Sequence, residues 1–317
     1  MSEPVRVGVV GVGALGRHHA RVYSAMPGAR LVGLFDTDAA RAATVAAEFA
    51  CPALPTLDAL LERADAVSVA VPTVDHHRVS VRALELECDV LVEKPITATL
   101  AEADDLMARA TALGRILQVG HIERFNPATE VLLSAGRSPR FVEVHRLGSF
   151  SARSLDVDVV LDLMIHDLDI VLALDGSPPV QIEAVGVPVL TPKVDIANAR
   201  LRFASGLIAN LTASRVSLEK VRKFRVFAPR TYVSVDFTAR EAQVFRLEPD
   251  GAGRPRIASE KRGAPDEEPL RRQVVAFLEA VRTRTEPVVS GSDGRRALAL
   301  AHAILGRMAE TDSSHRS

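Results

Sequence analysis

The sequence is poor in cysteine and contains no long apolar run. Its two cysteines, Cys51 and Cys88, lack the spacing of metal ligands and cannot cross-link a chain of 317 residues. No apolar run approaches the roughly 20 residues that cross a bilayer, and the N-terminus shows no charged and apolar regions of a secretory signal. We therefore expect a cytoplasmic protein without a metal centre or membrane insertion.

An excess of charge of one sign is also absent. The chain has 39 basic and 40 acidic residues, which gives a formal net charge of -1. A balanced chain offers no basic stripe that would neutralise a phosphate backbone, so nucleic acid is a poor candidate for a partner. Hydrophobic residues make up 47% of the chain and charged residues 25%, which is typical of a globular protein.

A glycine-rich turn follows the first apolar run, which predicts a buried parallel strand over residues 5–10. The turn has the pattern Gly-x-Gly-x-x-Gly, and its candidate cofactor-binding residues are Gly11, Gly13, Ala14, Leu15 and Gly16. The first glycine of this pattern allows a tight turn, the second lets the backbone approach a pyrophosphate, and the third lets helix and strand pack closely. The phosphates are expected at the N-terminus of the following helix.

Asp36 ends the second predicted strand, residues 30–35. An acidic residue about 20 positions beyond the glycines reads the 2'-hydroxyl of the adenine ribose. A carboxylate at this position repels a 2'-phosphate, so we expect NAD rather than NADP as the cofactor. Arg41 is close enough in sequence to reach such a phosphate, which keeps NADP as the less favoured alternative.

Further apolar runs alternate with helical patterns in the first half of the chain. Strands are predicted at 66–71, 90–93 and 116–119, and helices at 57–64 and 77–87. This alternation predicts an α/β fold with a doubly wound parallel Rossmann sheet, in which ligands bind at the carboxyl ends of the strands. The candidate cofactor-binding residues at those ends are Pro72, Thr73, His76, Glu93, Lys94 and Pro95, and His121 also lies at such an end. In the first helix, His18 and His19 are expected to be exposed to solvent.

Strand-like runs dominate the second half. They are predicted at 180–189, 197–203, 207–213, 224–227, 232–237 and 242–247, and short turns between them indicate an α+β domain with a large, mostly antiparallel open sheet. A helical segment at 156–174 precedes them, and helices at 270–283 and 293–310 follow. Residues 249–269, rich in glycine, proline and charge, are expected to form a mobile loop with solvated Arg254, Arg256, Lys261 and Arg262.

The length of the chain also predicts two domains. We place an NAD-binding Rossmann domain at residues 1–122. A substrate-binding and oligomerisation domain of α+β type is placed at residues 123–317.

Several motifs follow the glycine turn in a characteristic order. They are Pro72-Thr73-x-x-His76, Glu93-Lys94-Pro95 and Asp162-x-x-x-His166. With these motifs the chain resembles, over essentially its whole length, the glucose-fructose oxidoreductase / inositol dehydrogenase (Gfo/Idh/MocA) family of NAD(P)-dependent oxidoreductases. The resemblance implies oxidation of CH-OH groups, a cis Lys94–Pro95 bond that directs the ammonium into a cleft, and assembly into a homodimer or homotetramer.

The chemistry of three residues agrees with this resemblance. Asp162 and His166 are spaced i and i+4 in a helical pattern, so their side chains are predicted on one face. A carboxylate beside an imidazole orients the ring and stabilises its charged form, which makes His166 a candidate base. Lys94 can donate to the same substrate oxygen and stabilise the developing charge. The resemblance implies the same three catalytic roles.

The segment 120–127 carries several polar residues and suits a polyhydroxylated or phosphorylated ligand. Candidate substrate-binding residues are Lys94, His121, Arg124, Asn126, Asp162, His166 and Lys193. The alternative for this segment is a hinge between the domains, held by Glu123 and Arg124.

Residues 120–127, 156–162 and 193–200 together resemble the branch of the family that acts on nucleotide sugars, in particular UDP-N-acetylglucosamine. That branch implies a 3-keto product for a partner aminotransferase in the synthesis of lipid A and lipopolysaccharide precursors. Three alternatives stay open: a dehydrogenase of inositol or another free sugar, an NAD-dependent glycosidase of the same fold, and a non-catalytic NAD-binding subunit.

Overall fold

A computed structural model describes residues 3–150, 157–249, 254–263 and 267–315. Its strands are β1 (Val5–Val10), β2 (Ala29–Phe35), β3 (Ala66–Val69), β4 (Asp89–Glu93), β5 (Leu117–Gly120), β6 (Phe141–Leu147), β7 (Pro179–Val187), β8 (Ile196–Phe203), β9 (Ile208–Ser214), β10 (Val221–Ala228), β11 (Thr231–Asp236), β12 (Glu241–Pro249) and β13 (Pro255–Gly263). Its α-helices are α1 (Ala14–Ser24), α2 (Ala39–Glu48), α3 (Leu57–Leu61), α4 (Thr73–Glu85), α5 (Leu100–Ala112), α6 (Pro127–Ala135), α7 (Ile165–Asp175), α8 (Pro269–Thr283) and α9 (Gly291–His315).

The chain divides into two compact units. Unit 1 comprises Met1–Ile122 and Glu268–Arg295, and unit 2 comprises Glu123–Glu267 and Arg296–Ser317. The prediction that 123–317 forms one domain is therefore corrected at α8. The apolar side of α8, with Val274 and Phe277, is buried in the same core as Val7 and Tyr23 of unit 1.

Unit 1 contains a five-stranded sheet in the order β2-β1-β3-β4-β5, and all of its pairings are parallel. Strands β3, β4 and β5 are buried along their whole length, which explains why most of their residues are apolar. The order reverses direction between β1 and β3, and such a switch point is where an open α/β sheet receives its ligand.

Unit 2 contains an eight-stranded sheet in the order β13-β12-β11-β10-β6-β9-β8-β7. Strands β6 and β9 pair in parallel, whereas the other neighbours are antiparallel. One face of this sheet packs into an apolar core whose members include Leu211, Phe224, Ile170 and Ile304. The two sheets confirm the predicted fold class. Among the described residues, every helix is too short or too polar to span a bilayer.

The prediction of a mobile loop at 249–269 is wrong for most of its described residues, because β13 pairs with β12 along nine positions. Charged side chains meet across this pair: Lys261 Nζ lies 2.8 Å from Glu241 Oε1, and Arg246 Nη1 lies 3.8 Å from Glu260 Oε2. Both pairs are diagonal, and opposite charges within reach of long side chains across two strands stabilise their pairing. Residues 250–253 and 264–266 of the expected loop lie outside the described residues.

Candidate functional site

The glycine turn between β1 and α1 has the geometry that its sequence pattern requires. Gly11 has φ +80°, and a Cβ there would lie 2.7 Å from the carbonyl oxygen of Ala70. A Cβ on Gly16 would lie 1.8 Å from the carbonyl oxygen of Gly11, so only glycine permits this close packing. A Cβ on Gly13 would meet no atom within 4 Å. The backbone at Gly13 is therefore open to a ligand.

A cavity of about 550 Å³ lies at the carboxyl ends of β1, β2 and β3, beside the switch point of the sheet. The structure brings seven of the predicted cofactor-binding residues to its wall: Gly11, Gly13, Ala14, Leu15, Asp36, Arg41 and Pro72. Its size falls in the range of small-molecule sites. The open glycine backbone and the polar residues of this wall fit a dinucleotide, whose phosphates would face the N-terminus of α1.

The wall of this cavity also includes residues that the analysis of the sequence missed. They are Thr37, Leu57, Asp75, Arg78 and Val79 among others. Asp75 and Arg78 follow β3 on the first turns of α4, and they form an ion pair of 2.9 Å with each other. Their position after the end of β3 could have predicted a place in the cavity wall, but charged residues on a helix more commonly face solvent.

Asp36 is fixed by the turns around it. Its Oδ2 accepts a hydrogen bond of 2.8 Å from the Val12 amide, and its Oδ1 accepts one of 2.9 Å from the Asp38 amide. Arg41 Nη1 lies 3.6 Å from Asp36 Oδ2, and Arg41 Nη2 donates to Asp38 Oδ2 at 3.0 Å. A cation thus lies beside the carboxylate that would read the ribose.

Lys94 lies at the carboxyl end of β4, half-buried, and its bond to Pro95 is cis, as the resemblance implied. The buried ring of His76 links the loops that follow β3 and β4. Its Nδ1 lies 2.8 Å from the carbonyl oxygen of Pro95, and its Nε2 lies 3.0 Å from that of Val71. Burial lowers the pKa of His76. A contact of this ring with the cofactor stays a prediction, as it does for Thr73.

His19 is fully buried, so the prediction that it is exposed is wrong, whereas His18 is exposed as expected. Helix α1 turns the His19 ring towards β3 and β4, where it contacts Ser68 and Glu93. Glu93 is itself buried at the end of β4. Burial raises the pKa of the Glu93 carboxyl, but the hydrogen bond from His19 and the nearby cation of Lys94 bring the net shift below the usual value.

In unit 2, Asp162 and His166 lie where a π-helical turn (Val160–Met164) passes into α7. The Ile165 amide donates to the carbonyl oxygen of Val160, five residues earlier. The sequence predicted one uninterrupted helix here, and Asp156 of that segment lies outside the described residues. The side chains of Asp162 and His166 are half-buried, whereas Met164 and Ile165 between them are fully buried. Such π-helical turns are frequent at functional sites.

Ion pairs within unit 2 hold α7 on either side of His166. The Asp167 carboxylate accepts two hydrogen bonds of 2.8 Å from Arg146 of β6, and Asp169 accepts bonds of 2.9 and 2.7 Å from Arg124. Each pair is bidentate and nearly buried. They fix the backbone that carries His166.

The other predicted substrate-binding residues have local structural roles. Asn126 caps α6 by accepting a 3.0 Å hydrogen bond from the Ala128 amide, and Arg124 pairs with Asp169 as described. Lys193 is exposed in a turn, where its amide donates to the Thr191 hydroxyl. His121 is buried immediately after β5. Substrate contacts of these four residues stay predictions.

Comparisons with known proteins cover both halves of the chain. The family model described as "Oxidoreductase family, NAD-binding Rossmann fold" matches residues 5–121. The model described as "GFO/IDH/MocA C-terminal domain" matches residues 107–233.

Individual relatives match over nearly the whole chain. A UDP-N-acetylglucosamine 3-dehydrogenase from Acidithiobacillus ferrooxidans is 42% identical, over 94% of this chain and 95% of its own length. A solved structure of that enzyme matches with a TM-score of 0.90 and 41% identity, covering 97% of this chain and 98% of that one. An inositol 2-dehydrogenase from Rhizobium meliloti is 27% identical over 96% of this chain and 97% of its own length.

Proposed function

Because the chain belongs to the GFO/IDH/MocA family of oxidoreductases and acts on CH-OH groups, we propose that it oxidises the 3-hydroxyl of UDP-N-acetylglucosamine to the 3-ketone, with NAD as the oxidant. The single observation that carries the substrate is the 42% identity to a UDP-N-acetylglucosamine 3-dehydrogenase over 94% of the chain. An aminotransferase would then consume the ketone as an amino-sugar precursor.

We assign the proton transfer to His166. Its ring accepts the proton of the 3-hydroxyl, and Asp162 four residues earlier orients the ring and stabilises its charged form. The ion pairs at Asp167 and Asp169 support this role, because they hold the backbone on which the base depends. Bound NAD would accept the hydride that leaves the same carbon.

We assign the stabilisation of the reacting oxygen to Lys94. Its ammonium donates to the oxygen on which negative charge grows as the proton leaves. The cis bond to Pro95 and the buried His76 ring define the backbone on its C-terminal side. This role requires a fixed direction of the side chain, since the benefit of such a donor falls steeply with misplacement.

The proposed substrate is tested by NAD reduction with a panel of sugars. Purified protein and NAD are mixed with UDP-N-acetylglucosamine, free N-acetylglucosamine, inositol or glucose, and NADH is followed by its near-ultraviolet absorbance. A carbonyl trap is included, because formation of a ketosugar is uphill. We expect reduction only with the nucleotide sugar. Reduction with inositol instead would favour the activity in the name of the Rhizobium meliloti relative.

The choice of NAD over NADP is assigned to the charge of Asp36. In Asp36→Asn the amide oxygen can still accept from the Val12 amide, but the hydrogen bond from the Asp38 amide and the negative charge beside Arg41 are lost. We expect the ratio of the NADP to the NAD dissociation constant to fall by about tenfold, which corresponds to ~1.4 kcal/mol. Titration of NADH and NADPH by their own fluorescence measures both constants.

The matched control for this test is Asp38→Asn, because Asp38 also pairs with Arg41 and asparagine caps a helix as well as aspartate does. The control is expected to leave the ratio within about twofold. Tighter binding of NADPH than NADH by the unsubstituted protein would contradict the assignment.

An aromatic row crosses the face of the unit 2 sheet opposite its apolar core. Its ring centroids are 5.6 Å apart between Phe141 and Phe227, 4.8 Å between Phe227 and Tyr232, and 5.5 Å between Tyr232 and Phe245. The row holds three of the eleven phenylalanines and one of the two tyrosines of the chain. We propose that a second copy of the chain covers this face in a homodimer or homotetramer.

Tyr232→Glu places a charge in the middle of this row and is expected to shift the protein to the monomer, because burying an unpaired carboxylate is costly. Sedimentation velocity at micromolar concentration measures the shift. The exposed control Thr238→Glu lies in the turn after β11 and should keep the assembly intact. A monomeric unsubstituted protein, or an assembly that resists Tyr232→Glu, would refute this interface.

A further inference from the structure

The carboxylate of Glu93, the residue before Lys94, is enclosed within unit 1. Its Oε1 lies 3.0 Å from His19 Nε2 and 3.5 Å from Gln273 Nε2. A Cβ on Gly120 would lie 2.5 Å from the same oxygen, so the neighbouring strand closes a further side. The Glu93 carboxylate is therefore held in one place by α1, α8 and β5.

The hydrogen bonds around His19 form a chain from Glu93 to Tyr23. An ionised carboxylate only accepts, so His19 Nε2 carries the proton and donates to Glu93. The Tyr23 hydroxyl, whose pKa burial raises well above its usual range, stays protonated and donates to Ser68 Oγ at 2.8 Å. The Ser68 hydroxyl oxygen also lies 3.1 Å from His19 Nδ1.

Every side chain in this chain has a hydrogen-bonding partner. Tyr23, Ser68 and His19 are all fully buried, and buried polar groups are strongly destabilising when they lack partners. Such a fully satisfied network rigidifies the elements it joins, here α1, β3 and the end of β4.

A second buried histidine acts on the other side of Lys94. His76 Nδ1 contacts the carbonyl oxygen of Pro95, the residue after Lys94. Both sequence neighbours of Lys94 are thus fixed by imidazole rings that are 0% and 1% exposed. His19 acts through the side chain of one neighbour, and His76 through the backbone of the other.

We propose that His19 is a positioning residue for Lys94: through Glu93 it fixes the end of β4 so that the Lys94 ammonium is presented in a single direction, with His76 fixing the opposite side. The proposal rests on the proposed role of Lys94 at the reacting oxygen. It assigns a function to a histidine that the sequence alone placed in solvent. Glu93, which its place at a strand end made a candidate cofactor contact, acts here as the link between His19 and Lys94.

Three substitutions of His19 separate positioning from simple stability. A glutamine amide reaches the place of Nε2 and can donate to Glu93, an asparagine amide reaches only the place of Nδ1 near Ser68, and leucine provides neither contact. We expect kcat to fall on the order of 10²-fold in His19→Leu and His19→Asn, the scale of a misplacement of about 1 Å. His19→Gln should recover most of the loss. The comparison of asparagine with glutamine still decides the matter if the leucine variant does not fold.

The measurements are the kcat and KM for the sugar with which the protein reduces NAD, the NADH dissociation constant and the melting temperature. The chain has no tryptophan, so NADH fluorescence is observed without that background. We expect the NADH dissociation constant to stay within about twofold while kcat falls, because positioning acts on chemistry and not on ground-state binding. The control is His77→Leu. His77 follows His76 on α4, is partly exposed and pairs with Asp105.

Two results would overturn the proposal. In the first, His19→Asn turns over at the rate of the unsubstituted enzyme. In the second, the loss of activity follows a matching loss of NADH affinity, which would make His19 and Glu93 supports of the cofactor. Failure of the proposed function has a different signature. In that case none of the sugars in the panel would support NAD reduction by the unsubstituted protein, and the proposed role of His19 would fail as well.

Discussion

Lys94→Met is expected to lower kcat by about 10³-fold while NADH still binds, since removing one donor at a developing oxyanion costs about 10²–10³-fold. Methionine keeps the length and much of the apolar stem of lysine but cannot donate a proton or carry charge. Lys94 is not among the residues that line the cavity beside the Gly11–Gly16 turn, so the substitution leaves that wall unchanged. Steady-state kinetics with the nucleotide sugar and NADH fluorescence titration measure the two effects separately.

The matched control is Lys220→Met, an exposed lysine in unit 2 before β10. It removes the same charge from the chain and is expected to keep the unsubstituted rate. Turnover by Lys94→Met at a rate comparable with that of the control would remove Lys94 from the reaction.

His166→Asn is expected to lower kcat at neutral pH by about 10²–10⁴-fold, the usual contribution of a general base. Asparagine retains a polar group of similar size near the position of Nδ1, but it cannot accept the hydroxyl proton. The loss should shrink as pH rises, because hydroxide in the solvent increasingly replaces the missing base. A pH series of kcat/KM for the variant and the unsubstituted enzyme tests this expectation.

His302→Asn on α9 is the control for this substitution, since His302 belongs to no site proposed here. A pH-independent loss in His166→Asn would indicate a role in binding only. An unchanged kcat would exclude His166 as the base.

The parallel sheet of unit 1 could be predicted because its physical causes are local. Strands β3 and β4 are buried on both faces and are therefore mostly apolar, over residues 66–69 and 90–92. The glycine turn is equally local, since the φ of Gly11 and the contact at Gly16 arise within one strand and one helix. Strand β6 was not among the predicted strands, because Glu143, His145 and the buried Arg146 interrupt the apolar pattern.

The errors concern residues whose partners are distant in sequence. His19 is buried because of Ser68 and Glu93, which are 49 and 74 positions away. Strand β13 pairs with β12 and places Lys261 diagonally opposite Glu241, and a count of charge and proline in 249–269 cannot show that pairing. Helix α8 was assigned to the wrong unit for the same reason, since its apolar side meets residues near the N-terminus.

The central claim, oxidation at the 3-hydroxyl of UDP-N-acetylglucosamine with NAD, is tested most directly by following the hydrogen that leaves C3. UDP-N-acetylglucosamine carrying deuterium at C3 is incubated with the purified protein, NAD and a carbonyl trap, and the NADH formed is analysed by mass spectrometry. We predict NADH that carries one deuterium, together with a trapped ketosugar that has lost it. NADH without deuterium, or a trapped product that retains deuterium at C3, would contradict the claim.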